Sequence, residues 1–420
     1  MATILLTWEL GGGLGHLVPM RPVVKRLTAA GHHVFAALRD LSQAERVFDG
    51  LDLTFLQAPI KTRKVADRIE RPRTFPHILH NSGFADACEL HTMTGAWRTL
   101  YDFVRPDLIL FDHSPTALLA ARGYEAKRAL IGTGFCAPPD QDPMPDLRPW
   151  EPHDRQQLRR EEDRVLDVVN RVLDRRGEAR LGQLSQLYAE VDENFLATYE
   201  ELDHYPDRTA ARYWGAWPNV GGKSPIWPRG KGRRIFAYLK PFPGLPRLLA
   251  ALNKLPWPVL VRGDGIGSDL QNRFRGPTLR FEDERLNMQQ VAEQCDLAIL
   301  NGGHGITVSM LLAGKPILQL PICLEQTMTA LAVSRLGAGL YAPLAQPKRI
   351  AEKLEALVTR KEYVAAARRF SLRHTQITPQ QRVGSVVTRI EELVLQRSKN
   401  DRVVRLPGLS MADTRLTSVP

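Results

Sequence analysis

Residues 4–38 read ILLTWELGGGLGHLVPMRPVVKRLTAAGHHVFAAL, and how this stretch folds decides the class of the molecule. Residues 4–7 form a short apolar run that stops before glycines, and residues 33–38 (HVFAAL) form a second run after Gly31. Between them, residues 17–30 carry apolar side chains at helical spacing, with Gly31 where a helix stops. Strand, glycine turn, helix, strand is the repeating unit of a doubly wound parallel sheet, which gathers ligands at the carboxyl ends of its strands. Pro22 falls inside the helical stretch, so irregular first turns are expected if the helix begins near Gly15.

A glycine-rich turn after a first strand also invites a dinucleotide-binding loop. The G-x-G-x-x-G spacing fails at His16, however, and Arg39-Asp40 at the end of the second strand gives no clear acid for a ribose. An NAD-binding oxidoreductase is therefore the weaker reading.

Further along, residues 108–111 (LILF) read as a strand leading into the helix-like TALLAARGY, and residues 129–133 (ALIGT) as its parallel successor. Residues 154–202 are charged and helical, with no strand expected. The stretch GAWPNVGGKSPIWPRGKGRR, residues 215–234, breaks the pattern and reads as a linker. Strands then recur at 235–239, 259–261, 278–281, 297–300 and 317–320, with helical patterns at 245–255, 347–359, 364–373 and 379–397. The expected organisation is a first α/β domain over 1–214, the linker, and a second α/β domain over 235–380. A helix at 381–397 would return to the first domain, followed by a tail, 398–420, without periodicity.

The chain has 420 residues, 43% hydrophobic and 25% charged, which excludes disorder of the whole. Cys88, Cys136, Cys295 and Cys323 form neither a CxxC pair nor a metal-ligand spacing, so reduced thiols and no metal site are expected. Residues 1–7 lack the charged region of a signal peptide, and no apolar run reaches the roughly 18–20 residues that span a bilayer. The expectation is a cytoplasmic protein, with a peripheral membrane contact left open. The net charge of +11 suits an anionic partner. Its basic residues alternate with acids, as in 155–176, and no recognition motif accompanies them, so nucleic acid is not expected and an acidic small molecule is.

Two stretches carry a family resemblance: GLGHLVPMRPVVKRLTAAGHHV (13–34) and NGGHGITVSMLLAGKPILQLPICLEQTMTALAVSRLGAGL (301–340). With GHxxP, NGGxG, AGKP and EQ in this order and spacing, the chain resembles the GT1 family of nucleotide-sugar glycosyltransferases. The resemblance implies a GT-B fold, two doubly wound Rossmann-like α/β domains facing each other across a cleft. It also implies transfer of a sugar from a UDP- or dTDP-sugar to a hydroxyl of a small-molecule acceptor, with inversion and without a metal or other cofactor.

Such a reaction requires a base, a cradle for diphosphate and a clamp for the sugar. His16 suits the base, since an imidazole titrates near neutrality, and Asp112, after the LILF strand, suits the carboxylate that orients it. The family carries the same pair at the matching positions. His113 is expected to point the opposite way. The cradle is the turn of Asn301, Gly302, Gly303, His304, Gly305, Ile306 and Thr307, where glycines admit backbone amides to phosphate at a helix start. The family usually has His at Asn301, so the direct phosphate donor is either the Asn301 amide or His304. Lys240 either adds a charge to the diphosphate or is a solvated loop lysine. The resemblance gives Glu325 and Gln326 the donor-sugar hydroxyls, and the loop of Leu286, Asn287 and Met288 the nucleotide base. The family's ribose-binding glutamate falls at Ser309, which leaves room for a deoxyribose nucleotide. Phe75, Phe84, Trp97, Phe135 and Trp150 are candidates for an acceptor pocket or for core. A non-catalytic nucleotide-binding protein of this fold, a nucleotide-sugar 2-epimerase and a lipid-linked-sugar transferase remain alternatives.

Overall fold

The computed structural model describes residues 1–217 and 221–404. Residues 218–220 of the expected linker and 405–420 of the expected tail lie outside the described residues. The chain forms two six-stranded sheets in which every pairing is parallel.

The first sheet comprises β1 (Thr3–Trp8), β2 (His33–Leu38), β3 (Thr54–Gln57), β4 (Leu108–Asp112), β5 (Lys127–Gly132) and β6 (Glu193–Leu196), in the order β3-β2-β1-β4-β5-β6. The second comprises β7 (Ile235–Leu239), β8 (Val259–Gly263), β9 (Leu279–Glu282), β10 (Leu297–Leu300), β11 (Ile317–Gln319) and β12 (Gly339–Tyr341). Its order, β12-β11-β10-β7-β8-β9, is the same topology. β3, β6 and β12 are absent from the sequence reading, and β6 corrects the expectation of a strandless stretch over 154–202. All three are edge strands of three or four residues, too short to give the apolar run that marks a central parallel strand.

Alternate strand residues feed opposite faces. Ile4, Leu6 and Trp8 pack with Leu17, Val23 and Leu27 of the helix Leu17–Ala29, and Leu5, Ile109 and Phe111 with Trp97 and Tyr101 of the helix Ala87–Val104. The helix Leu17–Ala29 is continuous through Pro22 and starts two residues after Gly15, and Gly31 ends the turn at φ +81. Val383, Val386, Ile390 and Leu393 of the last helix, Pro379–Val404, enter the same core as β1. That helix extends through 398–404, the first part of the stretch expected as a tail without periodicity.

Apolar contacts are among those that join the domains. Tyr199 and Leu202, after β6, lie in the second domain's core with Phe370 and Met310, while Phe135, Leu147 and Tyr205 of the first domain meet Met328 of the second. Among the described residues no helix is long and apolar enough to cross a membrane.

Candidate active site

The strand order of the first sheet reverses between β1 and β4, the point at which doubly wound sheets receive ligands beyond the carboxyl ends of their strands. Asp112 ends β4, level with Trp8 at the end of β1. The following turn brings His16 back over that end. Gly11, at φ +86, makes this return, and a Cβ there would run into His16 Nε2. His16 Nδ1 lies 2.9 Å from Asp112 Oδ2, and its ring stacks on Trp8 with centroids 5.2 Å apart. Beside a carboxylate Nδ1 donates, which leaves Nε2 as the accepting nitrogen. Burial pulls the His16 pKa down, but the charge and hydrogen bond of Asp112, with the charge of Glu325, outweigh it and hold the ring above the ordinary 6.5.

Glu9, which the sequence left without a role, fixes this corner. It is 1% exposed, and its oxygens accept the Thr116 amide at 3.0 Å and the Thr116 hydroxyl at 2.7 Å. Trp97 Nε1 donates to the same hydroxyl at 2.9 Å. The helix Pro115–Ala120 is thereby held beside β1, and with it the end of β4. Burial raises the Glu9 pKa to about 8 against the opposing Thr116 bonds.

His113 corrects an expectation. Strand alternation would turn it away from Asp112, but its backbone is left-handed at φ +47, and its ring lies 6.1 Å from that of His16. Its Nε2 is buried without a hydrogen-bond partner, and burial, then the His16 and Arg39 charges, take its pKa down to about 3.

The second sheet repeats the arrangement at β7 and β10. Lys240 follows β7 and Asn301 follows β10. Asn301 Oδ1 accepts the Lys240 amide at 2.7 Å, and Nδ2 donates to the Leu320 carbonyl at 2.7 Å. This buried side chain ties the ends of β7, β10 and β11, which corrects its reading as the direct phosphate donor. Gly302 stands at φ +88, where a Cβ would lie 2.8 Å from the Gln326 carbonyl oxygen. The glycine turn thus lies against the start of the helix Leu324–Arg335, which carries Glu325 and Gln326. Gly303 caps the helix His304–Leu312, and its carbonyl takes the Thr307 amide at 3.1 Å. The amides of His304, Gly305 and Ile306 therefore form the open first turn, and Gly305 has free space around it. Thr307 is a second correction: it is fully buried, and its hydroxyl accepts Gln319 Nε2 at 3.0 Å beneath the turn. Ser309 donates to the Gly305 carbonyl at 2.9 Å, so its hydroxyl turns inward.

His304 Nε2 reaches across to Thr198 Oγ1 at 2.8 Å, and burial takes its pKa down to about 4, leaving the ring uncharged at neutrality. Burial raises the Glu325 pKa, the His16 charge lowers it and the Asp112 charge raises it, so this carboxyl is within electrostatic reach of the His16–Asp112 pair. Gln326 Oε1 accepts the Ile322 amide at 3.0 Å and holds its own loop. Lys240 Nζ is half-exposed, 3.8 Å from Asp264 Oδ2. The Arg285 carbonyl and Asn287 amide pair with Lys223 at 2.8 and 2.7 Å, which directs the backbone groups of Leu286 to the other side. Asn287 caps the helix Met288–Gln294, while Leu286 and Met288 pack into the core.

Of the acceptor-pocket candidates, Phe84 and Trp97 are core and Trp150 is exposed. Phe75 is also fully buried core, and Phe135 is buried beside it, each with its ring 6.2 Å from that of His113. Among the described residues no three His, Cys, Asp or Glu side chains are grouped to hold a metal.

No protein-family model matches the chain. The PGL/p-HBAD biosynthesis rhamnosyltransferase of Mycobacterium bovis is 28% identical over 293 residues, which cover 64% of this chain and 64% of that protein. The match thus spans less than two thirds of that relative's length. Among solved structures, the calicheamicin glycosyltransferase CalG4 superposes with a TM-score of 0.68 over 94% of this chain and 98% of its own, at 17% identity. The glycosyltransferase VinC, solved in complex with dTDP, superposes with a TM-score of 0.66 over 94% of this chain and all of its own (100%), at 16% identity. The chain has the GT-B fold of these GT1-type glycosyltransferases.

Proposed function

We propose, from the GT-B fold shared with these glycosyltransferases, that the protein moves a sugar from a nucleotide diphosphate sugar to a hydroxyl of a small-molecule acceptor. The observation that supports this most is the His16–Asp112 pair at 2.9 Å, held at the carboxyl ends of the first sheet with Glu325 of the second domain in electrostatic reach. The acceptor oxygen gives its proton to His16 Nε2 as it bonds to the anomeric carbon, and the bond from that carbon to the diphosphate breaks. Attack from the side opposite the leaving group inverts the centre. Asp112 stabilises the imidazolium so formed. The diphosphate leaves onto the amides of His304, Gly305 and Ile306 and the positive end of their helix, which take its charge without a metal. Glu325 accepts from the sugar hydroxyls, and the Leu286 backbone reads the base.

A deoxyribose nucleotide such as dTDP fits better than UDP, because Ser309 replaces a carboxylate and spends its hydroxyl on Gly305. The dTDP bound in VinC supports the same choice. Calorimetry with dTDP and UDP checks this; UDP binding at least about tenfold tighter would sink it. His16→Ala and Asp112→Asn should each lose about 10²- to 10⁴-fold in transfer while dTDP still binds. Near-normal turnover in both variants refutes the base assignment. The inward-turned Asn301 and Ser309 favour a second reading, a nucleotide-binding protein without transfer, which any detectable transfer or donor hydrolysis excludes.

A further inference from the structure

Arg39 follows Leu38, which pairs with Trp8, the residue stacked on His16. Its Nη1 donates to the Glu9 carbonyl at 3.3 Å, one residue beyond Trp8, so the guanidinium lies beside the carboxyl end of β1. That bond uses one of the five N–H groups, and among the described residues no carboxylate lies within 4.0 Å of the guanidinium. The Glu9 carboxyl feels the Arg39 charge, but burial raises its pKa to about 8, so it is uncharged at neutrality and forms no ion pair with Arg39. The charge is felt at His16 and His113 alike. Elsewhere in this domain Arg73 meets Asp146 at 2.8 Å, Arg98 meets Glu178 at 2.6 Å and Arg208 meets Asp203 at 2.7 Å, while Arg128, at the amino end of β5, and Arg176, just after the helix Arg155–Arg175, share with Arg39 the lack of a carboxylate among the described residues but stand away from the His16 end of the sheet. A partly buried guanidinium with a free planar fork is built for a carboxylate.

We propose that Arg39 is a specificity-determining residue that selects an acceptor bearing a carboxylate, binding that group while His16 faces the acceptor's hydroxyl. This rests on the transfer reading above for the role of His16, but carboxylate binding can be measured without transfer. The probes are 3- and 4-hydroxybenzoate and the matching hydroxybenzamides, which keep ring and hydroxyl and remove the charge. Calorimetry on the full chain saturated with dTDP should give at least about tenfold tighter binding of one acid than of its amide. Arg39→Gln should erase that ratio, and Arg39→Lys, which keeps the charge without the fork, should restore part of it. Melting curves confirm that both variants are folded. Equal affinity for acid and amide, no binding of either acid, or an unchanged ratio in folded R39Q overturns the proposal. Transfer from a dTDP-sugar to the preferred acid is followed in parallel. Acid selection that depends on Arg39 without any transfer would leave this inference standing and bring down the transfer reading; transfer with no acid preference would do the reverse.

Discussion

At the scale of single residues, the site is a set of charges whose protonation the surroundings dictate. His16 acts as a base only when uncharged, and Asp112 and Glu325 together hold its pKa above 6.5 against burial. The rate profile of kcat/KM should therefore fall on the acid side with a limb above pH 6.5. Asp112→Asn should move that limb to lower pH as well as lowering the rate; an unmoved limb would mean the titrating group is not His16. Glu9 gives a prediction about stability. Its pKa of about 8 lies above the ordinary 4.5, so the folded state holds a proton that the unfolded state has released. That contribution is complete below about pH 4.5 and is lost as pH rises towards 8, at up to about 1.4 kcal/mol per pH unit. Glu9→Gln keeps the shape without the titration, so denaturant unfolding should lose less stability between pH 6 and 8 in E9Q than in the parent. His16 and Asp112 were legible because base chemistry and motif position agree on them. Glu9 and His113 were not: a glutamate beside glycines reads as a solvated turn, and nothing local announces a left-handed histidine.

At the scale of elements, the central strands of both sheets were legible because each is buried on two faces and so reads as an apolar run. The edge strands β3, β6 and β12 owe their place to one neighbour each, a tertiary fact that four residues cannot carry. The two corrected residues of the cradle have a similar cause. Asn301 and Thr307 lie in the matching motif, but the motif does not say which side chains hold the turn and which meet the ligand. Gly302 belongs to the holding set. An alanine there would need φ +88 and would push its Cβ against the Gln326 backbone. Gly302→Ala should weaken dTDP binding by about tenfold or more, since left-handed geometry alone costs about 1–2 kcal/mol; unchanged affinity would place the nucleotide elsewhere. The last helix is tested through Ile390, which is fully buried in the first domain's core. Ile390→Ala should cost about 2–5 kcal/mol in denaturant unfolding, and a loss within 0.5 kcal/mol, as for a surface site, would show that the helix does not pack there.

At the scale of the molecule, the base belongs to one sheet and the phosphate cradle to the other, so transfer depends on how the two are aligned. Glu201 holds part of that alignment from the segment after β6. It meets His374 Nε2 at 3.1 Å and Arg373 Nη1 at 2.5 Å, at the end of the second domain's helix Lys361–His374. Burial would raise its pKa, but the His374 and Arg373 bonds bring it down to about 2, so the carboxylate is charged and the clasp closed across the neutral range. Neither partner belongs to the cradle or to the His16–Asp112 pair. Glu201→Gln should therefore leave the Kd for dTDP within about twofold, while a displacement of even 1 Å between base and anomeric carbon can cost about 10²-fold in rate. The expected outcome is a kcat at least about tenfold lower with nucleotide affinity intact, read from transfer kinetics beside calorimetry on the same preparation. A parallel fall in dTDP affinity would place the effect of Glu201 inside the second domain, and an unchanged kcat would mean that the cores around Tyr199 and Met328 fix the alignment without the clasp.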